Sequence, residues 1–215
     1  MGGTPKSGAR HQPHNQHQVQ PQGQPRRAGA TRQALLAAAR EIFGEHGYTA
    51  ASIAEVVRRA DASVGSLYHH FGGKVDLFLA LWEDFRANQE RVAAEAVALR
   101  RQSGESDPVV LFVAGACSYL ENCWARRDVA KLFLTGDGPP GFDLLRRQNT
   151  REWLRQNAIL LRAEERPPGR ALVIVLTTTI GEVGREVVRC ENDTEARELV
   201  DAALVLIDRL CEFPL

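Results

Sequence analysis

From residue 31 onward apolar side chains recur at three- and four-residue intervals, and no run alternates polar and β-branched residues long enough to make a strand. The pattern predicts an all-α chain of about nine helices. The first is expected to take Thr31 as its N-cap, with an apolar stripe of Leu35, Leu36, Ala39, Ile42 and Phe43 and a stop at Gly47. Ser52 followed by Glu55 reads as a capping box that opens a helix of two turns ending near Ala60. Asp61-Ala62 separates it from a third short helix capped by Ser63. Gly72-Gly73 then breaks the chain before a long helix from Lys74 to about Arg101. Asp107-Pro108 starts the next, over 109–126, and a short helix covers about 128–134. After the loop Gly136-Asp137-Gly138-Pro139-Pro140-Gly141, helices are expected over 142–165, 170–191 and 194–211.

Residues 1–30 break this pattern. Beyond Met1 they hold one aliphatic residue larger than alanine, Val19, so they cannot bury enough surface to order and are expected to be a disordered tail. His11, His14 and His17 recur every three residues there, but a polar tail with prolines is a site of adventitious metal binding, and no metal or cofactor site is expected. Arg26 and Arg27, just ahead of the first helix, are placed where a basic arm reaches a DNA minor groove.

The 27 basic and 27 acidic groups balance over the 215 residues. Their distribution is uneven, since residues 1–30 carry four basic groups and no acid, while residues 77–215 hold 18 basic and 22 acidic, a net of −4. A polyanion should therefore meet the N-terminal part. The four cysteines form no CxxC pair, so neither a zinc site nor a disulfide framework is written into them, and a reducing, cytoplasmic setting is expected. The longest apolar stretch, residues 171–180, is too short to span a membrane, for which about 20 residues are needed.

The stretch from Ser52 to Lys74 is the most informative. Two helices this short must pack on the first, through Ile53, Val56 or Val57, Leu67 and Phe71. Left outside on the third helix are Val64, Gly65, Ser66, Tyr68 and His69, small or hydrogen-bonding residues without an acid, a face that can approach phosphates and base edges. At these same residues the chain resembles the tetracycline-repressor (TetR) family of bacterial transcription regulators. The likeness is carried by Thr31-Arg32 to Phe43, Gly47-Tyr48, Ser52-Ile53-Ala54, and Gly65-Ser66-Leu67-Tyr68-His69-His70-Phe71 with Lys74. It covers residues 31–77 and departs from the family at Asp61, where Gly is usual, and at Ala62, where Val is usual.

The resemblance implies a helix-turn-helix DNA-binding domain over 31–76 and an effector-binding and dimerisation domain over 77–215. It implies phosphate contacts from Tyr68, His69 and Lys74, a major-groove face from Ala62, Ser63, Val64, Gly65 and Ser66, and a further DNA-facing candidate in Ser52. It also implies a homodimer through the last two helices. Residues 199–210 separately supply apolar side chains on more than one face of the last helix, and Leu172, Val175, Leu176, Thr179, Val183 and Val187 form a stripe on the one before. Two recognition helices in such a dimer would read a palindromic double-stranded operator at about 34 Å spacing. Candidates for an effector pocket are Trp82, Phe85, Tyr119, Cys123, Phe133, Trp153 and Asn157, which point to an apolar or aromatic small molecule. The expected function is a ligand-responsive repressor. A small helical enzyme is the weaker alternative, as no cysteine has a base at a fixed spacing. A non-specific DNA-packaging protein would have a basic body, which the −4 over residues 77–215 argues against.

Overall fold

A computed structural model describes residues 1–3, 24–163 and 167–211. Among the described residues it contains nine helices and no strand: α1 (Gln24–Ala50), α2 (Ile53–Arg59), α3 (Val64–His70), α4 (Lys74–Gln102), α5 (Pro108–Ala125), α6 (Arg127–Leu134), α7 (Phe142–Leu160), α8 (Pro167–Val187) and α9 (Asp193–Cys211). The fold is all-α, as the periodicity predicts.

The boundaries differ where proline or a weak cap misleads. α1 begins at Gln24, so Thr31 lies inside it and the last seven residues of the expected tail are helical. Pro25 sits in the first turn, where a missing N–H has no partner to lose, and an interior threonine costs only a few tenths of a kcal/mol once the helix has formed downstream. Arg26 and Arg27 thus belong to the backbone of α1 instead of preceding it. The expectations for His11, His14 and His17 lie outside the described residues. α8 likewise starts on Pro167 and ends at Val187, ahead of the expected 170–191. α7 stops early at Leu160, through Arg162 at φ 52° and a hydrogen bond from Ala163 N–H to the Ala158 carbonyl (3.0 Å), a Schellman-type closure that needs no glycine.

The predicted core forms. Leu35, Ala39, Ile42 and Phe43 of α1 are buried with Val56 and Val57 of α2, Leu67 of α3 and Phe71. That core runs on without a gap, since Phe78 on α4 meets Phe43 (centroids 5.9 Å apart) and Tyr48 (5.0 Å), and then Phe133 (5.1 Å) and Phe142 (4.8 Å). On α8 the inward face is Val173, Leu176, Thr177, Ile180 and Val187, one residue out of phase with part of the expected stripe, and Ile174 and Val175 point to solvent. On α9, Ala196, Val200, Ala203 and Ile207 face inward and Val205 and Leu206 outward. Among the described residues no helix is long and apolar enough to cross a membrane.

Candidate functional site

The outer face of α3 is built by the turn before it. The Ser52–Glu55 capping box is present in both directions: the Ser52 hydroxyl accepts from Glu55 N–H (3.2 Å) and the Glu55 carboxylate accepts from Ser52 N–H (3.3 Å). Asp61 takes a left-handed backbone at φ 48°, a conformation asparagine and aspartate tolerate better than most, so the turn forms without the glycine. Ser63 caps α3 by accepting from Ser66 N–H (3.0 Å). With Leu67 fully buried beneath, the helix is pinned and its other side left open: Val64 is 49% and Tyr68 55% exposed, Gly65, His69 and Ser63 are exposed, and Ser66 and Ala62 are half-buried. Ala62 packs partly on the core. Ser52 is half-buried and its hydroxyl is occupied by the cap, so it positions α2 first and faces outward second.

Lys74, the expected phosphate contact, also has partners within the chain. The sequence leaves its charge at a helix start without a purpose other than phosphate. In the structure its Nζ donates to the Thr49 carbonyl (3.0 Å) and lies 4.6 Å from the centre of the Tyr48 ring. One bond still leaves N–H donors for a second acceptor. The segment it grips is held from the other side by Asp137, in the loop between α6 and α7, whose carboxylate accepts from the N–H groups of Tyr48 (2.8 Å) and Thr49 (2.7 Å). Gly47 makes the approach possible, with φ 74° and a position where a Cβ would stand 3.0 Å from Asp137 Oδ1. A second tie joins α1 to α6, from Arg40 to Asp128 (2.8 Å from Nε).

Burial alone would raise the Asp137 carboxyl, but the hydrogen bonds from Thr49 and Tyr48 outweigh it and hold it below its ordinary 3.8. A carboxylate with a lowered folded value contributes stability above its unfolded value and loses it as pH falls through the folded one. Asp137→Ala is expected to cost about 1–2 kcal/mol near neutrality, the worth of charge-assisted bonds reduced for exposure. The gap from the parent protein should close as the pH drops below about 4, as urea titrations across pH would show. A gap independent of pH would mean the carboxylate charge is irrelevant.

The second feature is a cavity of about 500 Å³ between α4, α5, α7 and α8. Of the predicted pocket residues, Trp82, Tyr119, Phe133, Trp153 and Asn157 line it, with Tyr119 edge-on to Trp153 (5.7 Å). Phe85 and Cys123 do not. Phe85 is buried in the core against Trp82 and Phe133. Cys123 accepts from Gln89 Nε2 (3.1 Å) behind the wall. Sequence reasoning missed what makes the space: Ala93, Ala94 and Ala98 on α4 opposite Gly115 and Ala116 on α5, small residues that look like ordinary helix formers until two helices face each other. Asn149 was missed as well, having no periodic neighbour to mark it.

Burial pushes the Cys123 thiol up to about 12, and burial with nearby Glu121 takes Cys117 to about 11, so both are held away from the thiolate form that nucleophilic chemistry requires. Among the described residues no group of three or more His, Cys, Asp or Glu is placed to hold a metal ion.

Residues 35–81 match the profile of a family described as bacterial regulatory proteins, tetR family. The chain is 40% identical over 65 residues to the HTH-type transcriptional repressor AcnR of Corynebacterium glutamicum, a span of 30% of this chain and 35% of that protein. It thus covers about a third of the length of curated relatives of this kind. Two solved structures share the fold more widely. The fatty acid degradation regulator FadR from Bacillus halodurans is 18% identical with a TM-score of 0.65, over 85% of this chain and 99% of that one. A SmeT–triclosan complex is also 18% identical with a TM-score of 0.65, over 84% and 90% of the two chains.

Proposed function

Since the chain belongs, through residues 35–81, to the tetR family of bacterial regulatory proteins, we infer that it is a ligand-responsive transcriptional repressor. It binds a palindromic DNA operator as a homodimer and leaves it when an apolar or aromatic effector enters the cavity. One observation carries the DNA-binding half: α3 is clamped from below by Leu67 and presents Val64, Gly65, Tyr68 and His69 outward with no acid on the helix. Phosphate contacts from Tyr68, His69 and Lys74 set the position of the helix, and Val64, Gly65 and Ser66 meet base edges, with Ala62 and Ser63 at the turn. Ile174 and Val175 on α8 and Val205 and Leu206 on α9, all about half exposed or more, are the apolar surface a second copy covers. The structure of SmeT with triclosan supports a ligand in a chain of this fold.

The release step follows from two connections. α4 lines the cavity through Trp82 and Val97 and begins at Lys74, beside α3. Phe133 and Leu134 line it at the end of α6 and Arg146 on α7, and the loop between those helices carries Asp137, which holds the backbone at Tyr48 and Thr49. A ligand that spreads these walls moves both supports of the DNA-binding segment. A coupling of about 1–3 kcal/mol would change occupancy about five- to 150-fold.

Fluorescence anisotropy with the DNA upstream of the protein's own gene, over a series of salt concentrations, tests the reading. Binding is expected to weaken steeply with salt. Tyr68→Phe is expected to weaken binding to all sequences by roughly two- to tenfold, the worth of one hydrogen bond, whereas Val64→Ala should change which base pairs are preferred. Salt-insensitive binding, or the same loss at every sequence from both variants, counts against the assignment.

A further inference from the structure

The outward side of α3 lacks the side chains that read bases through two parallel hydrogen bonds. Arginine or lysine does so with guanine and asparagine or glutamine with adenine, and residues 61–70 hold none of the four. Lys74, at the start of the next helix, is turned to the Thr49 carbonyl. Asp61, the one acid in the stretch, stands off the helix, in the turn ahead of Ser63. The Ser63 hydroxyl accepts from Ser66 N–H, and the hydrogen it has left to donate suits an acceptor on any base pair. Tyr68 and His69 lie in the last turn of α3, whereas recognition helices touch base edges with their N-terminal residues. What remains at that end is Val64, the first residue of the helix, apolar and 49% exposed. Beside it a Cβ on Gly65 would meet nothing nearer than Ser63 Oγ at 3.8 Å, so no neighbouring side chain holds the helix away from a partner.

Along the major-groove edges of the bases the apolar group is the 5-methyl of thymine. A valine that meets it takes two hydrocarbon surfaces out of water together. Over the amino group of cytosine or adenine the same side chain would strip water from a donor and return no hydrogen bond. Resting on the reading of α3 as a recognition helix, we propose that Val64 selects thymine, with one thymine methyl of each operator half-site packed on its γ-methyl groups. Tyr68, four residues on and so on the same side of the helix, fixes the depth of that contact from the phosphate backbone.

Uracil keeps every hydrogen-bonding group of thymine and lacks only the methyl, so the test is anisotropy of the full-length protein on the upstream DNA with thymines replaced by uracil, one symmetry-related pair at a time. At one such pair the replacement is expected to weaken binding about 15-fold, about fourfold for each half-site, the worth of one methyl group taken from water at two independent positions. In Val64→Ser, which has no methyl to offer, that loss should shrink to under about twofold, whereas Val64→Ile should keep most of it. Salt-sensitive binding of Val64→Ser to the unmodified DNA shows that the variant is folded. Losses under about twofold at every thymine pair, or an undiminished loss in Val64→Ser, would overturn the role of Val64 and leave α3 as a DNA-binding helix. Failure of the parent protein to bind the unmodified DNA would overturn the DNA-binding reading itself.

Discussion

The double variant Val175→Arg/Leu206→Arg is expected to elute as a monomer in size-exclusion chromatography with light scattering, and to lose about 10²- to 10⁴-fold in operator affinity with the DNA-binding segment unchanged. Both side chains point to solvent in the single chain, Val175 at 46% and Leu206 at 60% exposure, so two arginines cost its fold little. In a dimer they place like charges in an apolar contact, where desolvation is not repaid. The DNA effect is large because, once one recognition helix is bound, its partner acts at a high effective concentration on the second half-site, and a monomer forfeits that gain. A half-site oligonucleotide separates the effects: the parent protein and the variant should bind it alike. A variant that stays dimeric would move the interface off this surface, and one that is monomeric yet keeps full affinity would remove the need for a palindrome.

Phe133→Ala is expected to lose about 3–5 kcal/mol of stability. The ring is fully buried at the centre of an aromatic group, 5.1 Å from Phe78, 5.4 Å from Trp82 and Phe85, and 6.1 Å from Phe142. These neighbours come from α4 and α7 and cannot all close in on the space. For a chain of this size the loss corresponds to a fall in Tm of about 6–20 °C, read by calorimetry at one fixed protein concentration because the midpoint of any self-associating chain depends on it. Phe133 lines the cavity too, so the variant should bind bulkier aromatic molecules than the parent. A loss under about 1 kcal/mol would show that α6 relaxes into the gap.

Much of this molecule is legible in its amino-acid order because the signals are local. A serine immediately before a helix with glutamate three residues on favours a capping box from local geometry alone, and both hydrogen bonds are there at Ser52 and Glu55. The period of the apolar residues places Leu35, Ile42 and Leu67 inside, which in turn leaves Tyr68 and His69 outside. Boundaries were less legible at Thr31 and Pro167, where a residue able to cap or break a helix sits inside one or starts it, since neighbouring turns outweigh a single propensity. On α8, where apolar residues cover most of the surface, periodicity could not say which of Leu172, Val173, Ile174 and Val175 turn inward. Packing against the rest of the chain chose Val173 and left Ile174 and Val175 exposed.

The order of residues thus settled the helices and the outward face of α3, because each depends on neighbours within about one turn. Lys74 and Asp137 meeting across the Tyr48–Thr49 backbone and the cavity between small residues of α4 and α5 belong to the tertiary structure. Each is a relation between groups far apart along the chain, and only packing brings them within hydrogen-bonding or van der Waals reach or keeps them out of it.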